Sequence, residues 1–305
     1  MKTSLILRTR DQWSRLRLVL ASIEGQDELD EVVVVDDGSV DCTWERLTDT
    51  PFPVPLVTLR NPTSIGQSAT WNAGAAAASG DLLIFLDGDV LAGPGLVAAH
   101  RRAHAAAGDL VGRGETWHLR CTRFLSDPET GEFWAHERER ALQTGEKERD
   151  RMRIPIAQVR DDFAAVHARA APGCYPGIGP KRLHETEMRM LYADPPSPRL
   201  WAAASGSNSS VRRERFHAVG GFEPEMDINE HRELAYRLCG QGARMAPVPG
   251  ARSYHLTHRV GWRDPLEDAA WERAFRRRHP EAPIDELKQF WLRVGTEAAD
   301  VTFFR

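Results

Sequence analysis

Over the first third of the chain, short apolar runs alternate with stretches in which apolar side chains recur every three or four positions. Residues 4–7 read as a strand, and Trp13, Leu16, Leu20 and Ile23 then fall at helical spacing, predicting an amphipathic helix. Four consecutive valines, Val32 to Val35, suit a strand buried on both faces. The turn residues Asp36-Asp37-Gly38-Ser39 close it, and Asp41 is placed to cap a helix over 42–47. Residues 54–59 predict a further strand and 66–79 an alanine-rich helix closed by Gly80. The apolar run 82–86 predicts a fourth strand, ending at Asp87-Gly88-Asp89. This β-α-β-α-β-α-β order predicts an α/β fold, a parallel sheet with helices on both faces. Such sheets bind ligands beyond the carboxyl ends of their strands. The acidic turns at 36–37 and 87–89 are therefore expected on one rim.

Residues 95–107 predict another helix and 110–119 a strand leading away from the rim. The dense mixture of charges over 136–153 suits a solvated helix or loop. Residues 172–180 turn to Gly and Pro, and 195–198 form a second rigid break. The span 120–200 reads as an insertion over the site. Residues 230–239 look helical, with Leu234 and Leu238 on one face and Glu233 placed to pair with Arg237, and Gly240 and Gly242 end the helix. Trp271 and Phe275, then Leu287, Phe290, Trp291 and Val294, predict two amphipathic helices that pack on the domain.

Composition narrows the function classes. With 305 residues, 41% of them apolar, the chain can bury a sizeable core. A formal charge of -4 gives no general attraction to nucleic acid. The start, MKTSLILRTRDQW, lacks the longer apolar run of a signal peptide, and no stretch of about 18 apolar residues occurs. The expectation is a cytoplasmic protein without an integral membrane segment. Cys42, Cys121, Cys174 and Cys239 form no CxxC pair and are expected as free thiols.

Two carboxylates in Asp87-Gly88-Asp89, beyond a buried strand, can reach a hard cation such as Mg²⁺ or Mn²⁺. Gly88 would permit a tight turn and close approach of a ligand. Taken alone, this is equally an ordinary acidic turn. Asp36 and Asp37 can accept hydrogen bonds from a base or a ribose. His255 and His258 form a His-x-x-His, but a zinc site would want further ligands and none is evident. Trp201 suits a sugar-stacking platform or plain packing.

Together these segments resemble the family-2 glycosyltransferases. The resemblance is carried by SLILRTRDQWSRLRLVLASI, DEVVVVDDGSVDCT, RNPTSIGQSATWNAGAAAASGDLLIFLDGDV and SGSNSSVRRERFHAVGGFEPE, about half the chain. It implies a GT-A fold, a nucleotide-sugar donor (a UDP-sugar), a Mn²⁺ or Mg²⁺ ion and inverting transfer to an acceptor hydroxyl. Residue by residue, it places Thr9 and Arg10 in the nucleobase pocket, and Asp37 and Asp36 at the base or ribose. Asp87, with Gly88, falls at the ribose, sugar and metal, and Asp89 at the metal. Asn208 and the Gly220-Gly221-Phe222 turn fall in the donor-sugar and acceptor wall, and His255 stands as a third metal ligand. The general base falls on Glu230 or His231. The domain reading is 1–119 for the nucleotide-sugar half, 120–200 for the insertion, 201–265 for the acceptor and base half, and 266–305 for C-terminal helices. The partners expected are the donor and a soluble small-molecule or oligosaccharide acceptor, with no nucleic acid and with a homodimer as a possible assembly.

The chain departs from the family pattern in places. Arg10 replaces a stacking tyrosine, and a guanidinium can also lie flat on a base. Trp71 stands where an arginine near the phosphates is expected, and Arg60 or the insertion could supply that charge. The rival readings are a retaining GT-A glycosyltransferase and a non-catalytic sugar-nucleotide-binding protein. A nucleotidyltransferase would show a glycine-rich loop after the first strand, and LRTRDQW has no glycine.

Overall fold

A computed structural model describes residues 1–172, 183–194, 197–258, 263–294 and 303–304. The Gly/Pro stretch beyond Pro172, Cys174 and the pair Pro195-Pro196 lie outside the described residues.

The expected alternation is present. Strands β1 (Thr3–Thr9), β2 (Glu31–Asp36), β3 (Leu56–Arg60) and β4 (Leu82–Asp87) are separated by helices α1 (Trp13–Ile23), α2 (Thr43–Thr48) and α3 (Gln67–Ala77). These four strands run parallel in the order β3-β2-β1-β4. The valine run works as its composition suggests. Val33 and Val35 join one core with Ile6, Trp71 and Phe85, while Val32 and Val34 join the other with Leu5, Leu7 and Leu16. Asp41 contributes through its carboxylate, which accepts the Thr43 N–H at 2.9 Å. The helix at 66–79 ends earlier than expected, because Ala78 already turns extended.

The sheet continues past β4 with a change of direction. Strand β5 (Val90–Ala92) leads to α4 (Leu96–Ala106) and β6 (Leu110–His118). The insertion then contributes the hairpin β7 (Leu125–Asp127) and β8 (Glu132–Phe133). Helices α5 (Arg138–Gln143), α6 (Glu146–Met152), α7 (Ile156–Asp161) and α8 (Phe163–His167) follow, then β9 (Ala171–Pro172) and α9 (Leu183–Ala193). Beyond these come β10 (Ser209–Arg212), α10 (Arg213–Ala218), α11 (Glu230–Gly240), β11 (Arg244–His255), α12 (Ala270–Arg278) and α13 (Ile284–Arg293). Strand β10 is antiparallel to both β4 and β6 and joins the two halves, so the sheet is mostly parallel rather than wholly so. The 110–119 strand therefore lies within the main sheet. Strand β11 pairs with β6 and carries Pro247 and Pro249, which cannot donate to a ladder, and its register breaks between Pro247 and Arg252. That bulge re-aims the strand end that bears His255.

The tail helices bury Trp271, Phe275, Phe290 and Trp291 in the core, with Phe275 against Trp201 and against Tyr236 of α11. Among the described residues, Cys42, Cys121 and Cys239 are free, and no helix is long and apolar enough to cross a membrane.

Candidate active site

Strands β1, β2 and β4 end on the same rim, with Thr9 opposite Asp36 and Arg8 opposite Asp87. The two acidic turns do meet there, but not every carboxylate faces outward. Asp36 is fully buried and turned inward. It accepts from Ser39 and lies 3.4 Å from Arg60 Nε, so its carboxylate is engaged within the protein and not presented on the rim. Burial pushes its carboxyl up. Asp37 accepts from Asn61 Nδ2 (2.8 Å), Ile65 N (2.9 Å) and Ser64 Oγ (2.6 Å). Burial would raise Asp37, but these hydrogen bonds outweigh it and hold it low. With the Thr70 side chain as a further partner, Asp37 ties the 61–65 loop to the start of α3. Thr9 is buried with its Oγ1 unpartnered among the described residues, while Arg10 is largely exposed beside Asp11.

Asp87 is turned toward Arg8, whose Nη2 lies 2.7 Å from Oδ1. Burial, helped by Asp89 and Glu230, pushes the Asp87 carboxyl up to about 6 against the pull of Arg8. The Arg8 guanidinium lies 5.5 Å from the ring centre of Trp71, itself buried against Phe85 and Phe222. Trp71 is thus the bed for a cation delivered from β1. Arg60, by contrast, is spent on Asp36 and the Ser39 carbonyl. The sequence signal for Arg8 was the cross-strand register with Asp87, readable only once β1 and β4 are known to be neighbours. Gly88 serves close approach of the chain itself. A Cβ there would sit 2.6 Å from the Arg8 carbonyl and 2.8 Å from Gln12 Nε2.

Asp89, His255 and His258 bring one ligand atom each within 4.8 Å of one another. His258 Nε2 lies 2.7 Å and His255 Nε2 3.6 Å from Asp89 Oδ2. Burial would raise Asp89, but the two histidines hold it well below the usual carboxylate range. On its other side, His255 Nδ1 faces His118 Nδ1 at 3.4 Å, which orients the ring. His258 Nδ1 is buried without a partner among the described residues. One carboxylate and two imidazoles suit a divalent ion of the Mn²⁺ type. Asp87, expected among the ligands, does not join this group, and His258 takes the place. The His-x-x-His spacing was the signal for it.

Glu230 and His231 open α11. Glu230 is buried, with His231 Nδ1 3.4 Å from its Oε1. Burial opposes its charge, but His231 and Arg8 outweigh that and hold the carboxyl low. His231 Nε2 lies 2.9 Å from Arg232 Nη1. A guanidinium can only donate, so Nε2 accepts. The predicted Glu233–Arg237 pair forms, at 2.7 and 2.5 Å.

Asn208 does not face the cleft. It is fully buried, with a left-handed φ of 59°. Its Nδ2 donates to Glu115 O, Ala251 O and Ser253 Oγ, and its Oδ1 faces His100 Nε2 at 2.9 Å. Asn208, expected in the donor wall, ties β6, β11 and α4 together. The Gly221-Phe222 turn is likewise tied to α3, through both ends of the Asn72 amide. Trp201 is buried against Tyr236 and Phe275, so it packs rather than stacking a sugar. A cavity of about 860 Å³ lies at the other end of α11, lined by Trp201, Tyr236 and Arg199. Its arginines Arg199, Arg244 and Arg276 already pair with acids, so size and chemistry point to different places.

Solved structures of similar shape bear on the fold. GalNAc-T7 with UDP, GalNAc and Mn²⁺ aligns with a TM-score of 0.60 at 17% identity, covering 95% of this chain and 49% of that one. S. aureus TarS 1–349 with UDP-GlcNAc aligns at 0.58 and 15%, covering 96% and 70%. The mannosyltransferase PcManGT from Pyrobaculum calidifontis, with GDP-Man and Mn²⁺, aligns at 0.53 and 15%, covering 86% and 58%. The fold is that of the GT-A glycosyltransferases. The chain belongs to glycosyl transferase family 2, whose model matches residues 4–166, more than half its length. Among curated relatives, it is 38% identical over 119 residues to the uncharacterized glycosyltransferase YfnE of Bacillus subtilis, covering 38% of this chain and 30% of that protein. It is 33% identical over 92 residues to a dolichol-phosphate mannosyltransferase of Pyrococcus furiosus, covering 30% and 26%. The matched stretches span less than a third of either relative.

Proposed function

We propose that this chain moves a sugar from a nucleotide-diphosphate sugar, a UDP-sugar, to an acceptor hydroxyl with inversion. One juxtaposition carries the reading. Arg8 pairs with Asp87 at 2.7 Å and also lies in the field of Glu230 and Asp89, so the cation ligand Asp89 and a buried ionised carboxylate share one electrostatic site at the strand ends. Asp89, His255 and His258 would hold a Mn²⁺ or Mg²⁺ ion, which when bound supplies Lewis-acid stabilisation of the leaving diphosphate. Arg8 contributes a fixed positive charge able to pair with phosphate oxygens. Asp37, Thr9 and Arg10 form the nucleoside end of the rim. Glu230 takes the proton of the acceptor hydroxyl as its oxygen bonds the anomeric carbon and the bond to the diphosphate breaks. His231 cannot take that proton while its accepting nitrogen is occupied by Arg232.

The test is a donor screen with UDP-GlcNAc, UDP-glucose and GDP-mannose, each with Mn²⁺ or Mg²⁺. The readouts are thermal shift, release of nucleoside diphosphate and product anomer by NMR. A UDP-sugar should stabilise the protein only with cation present, and Asp89→Ala should abolish the effect. Failure of every nucleotide sugar to bind would sink the proposal, and a retained anomer would replace inversion with the retaining reading.

A further inference from the structure

We propose that Glu187, on the insertion helix α9, is a positioning residue for the base: through Arg232 it fixes the tautomer of His231, so that His231 donates to Glu230 instead of competing with it. This rests on the reading of Glu230 as the base.

Glu187 is fully buried, yet it lies 45 residues from α11 in sequence. Its Oε2 accepts from Arg113 Nη1 on β6 at 2.7 Å, and its Oε1 from Arg232 Nη2 at 2.8 Å. Arg113 is itself buried and also donates to the Ala203 carbonyl and to His184 Nδ1. Two buried guanidiniums repel, and Glu187 is the counter-charge between them.

Arg232 is held in one plane by four contacts. Nε donates to Ala202 O (2.8 Å), Nη1 to Asn229 Oδ1 (2.7 Å), and Nη2 to Glu187. The fourth contact is Nη1 to His231 Nε2. Every guanidinium hydrogen-bonding atom is a donor, so Nε2 accepts and the single proton of the neutral ring must sit on Nδ1. Nδ1 is the atom facing Glu230 Oε1. The chain therefore runs from charge to counter-charge, passes through the neutral His231 ring and ends at the base: Arg113, Glu187, Arg232, His231, Glu230. Gly206 lies over its end, where a Cβ would be 3.1 Å from His231 Nδ1 and 3.3 Å from Glu230 Oε1. Its lack of a side chain leaves room for both groups at this crowded point. An ion network that only pinned α9 to the domain would not need to reach the His231 ring or set its proton.

The experiment is ¹⁵N NMR of imidazole-labelled protein at pH 7.5, with His231 assigned by a His231→Asn comparison. The wild type should show the Nδ1–H tautomer. Glu187→Gln should show a mixture of tautomers. Its release of nucleoside diphosphate, from the nucleotide sugar chosen in the donor screen, should slow about 10- to 100-fold with donor KM changed less than threefold. His231→Asn keeps a donor near the Nδ1 position and should retain more activity than His231→Ala. An Nε2–H tautomer in the wild type overturns the proposal, as does a folded Glu187→Gln with wild-type turnover. If Glu187→Gln does not fold, the wild-type tautomer and the His231 pair decide alone. Full activity in Glu230→Gln would remove the base reading while leaving the tautomer result standing.

Discussion

The rim formed by Asp36 and Asp37 and the turn that opens α11 with Glu230 and His231 are built differently. On the rim, Asp36 and Asp37 find their partners within 28 residues, at Ser39, Asn61, Ser64 and Ile65. On the α11 turn, Arg232 reaches Glu187, which reaches Arg113 another 74 residues away. The Asp89 cluster reaches further still, with Asp89 and His258 in contact across 169 residues. The local side is a loop ordered by its own near neighbours. The non-local side is a buried network whose members hold each other, so a change there should travel.

The largest expected break in this comparison is Glu230→Gln. Loss of a general base should cut turnover about 10³-fold and leave donor affinity intact, by steady-state kinetics and titration. A loss below tenfold would put the base elsewhere.

Asn208→Ala comes next. It strands His100 and three buried acceptors, so urea unfolding should show a loss of about 3 kcal/mol, while the folded fraction binds donor normally. Intact stability with lost donor affinity would return Asn208 to the donor wall.

His258→Ala should weaken Mn²⁺ binding about 30-fold, or about 2 kcal/mol, by calorimetry. Asp87→Asn should change it less than threefold, which separates the ligand group from the ion pair with Arg8.

A pH dependence of stability sharpens the comparison last, since no single substitution is needed to see it. Burial lowers His100 to about 4 and His104 to about 3. Their unfolded value is near 6.5, so the unfolded chain binds more protons below it. Stability is then full above pH 6.5 and falls by up to about 1.4 kcal/mol per unit per histidine as pH drops toward 4. Asp37, with its lowered carboxyl, contributes above its unfolded value near 3.9 and is lost only below that. Urea midpoints across pH 4–8, with His104→Gln as comparison, should show the first fall and not the second. A flat profile would mean the histidines are not held neutral.

The pattern of apolar positions was enough for the β1–β4 half. Strand burial leaves a mark in every residue of a run such as Val32 to Val35, and turn chemistry follows it in the next few positions. The same pattern placed Asp36 and Asp37 on the rim but could not tell their directions. Side-chain direction depends on which atoms arrive from Ser39, Arg60 and the 61–65 loop. His255 and His258 were visible as a spacing, but the bulge in β11 decided that both reach Asp89.

What the sequence by itself determined is the β-α alternation and parallel sheet of the N-terminal half, the acidic turns at its rim, the helix that starts at Glu230 and the family to which the chain belongs. Each is written in contiguous residues, where local periodicity and turn chemistry act. Only the tertiary structure decided that Asp87 turns to Arg8, that Asn208 ties strands to α4, and that Arg232 occupies one nitrogen of His231. Those outcomes depend on buried charges and donors meeting across distant elements. Such groups are costly unless paired, so their partners are chosen by packing and not by position along the chain.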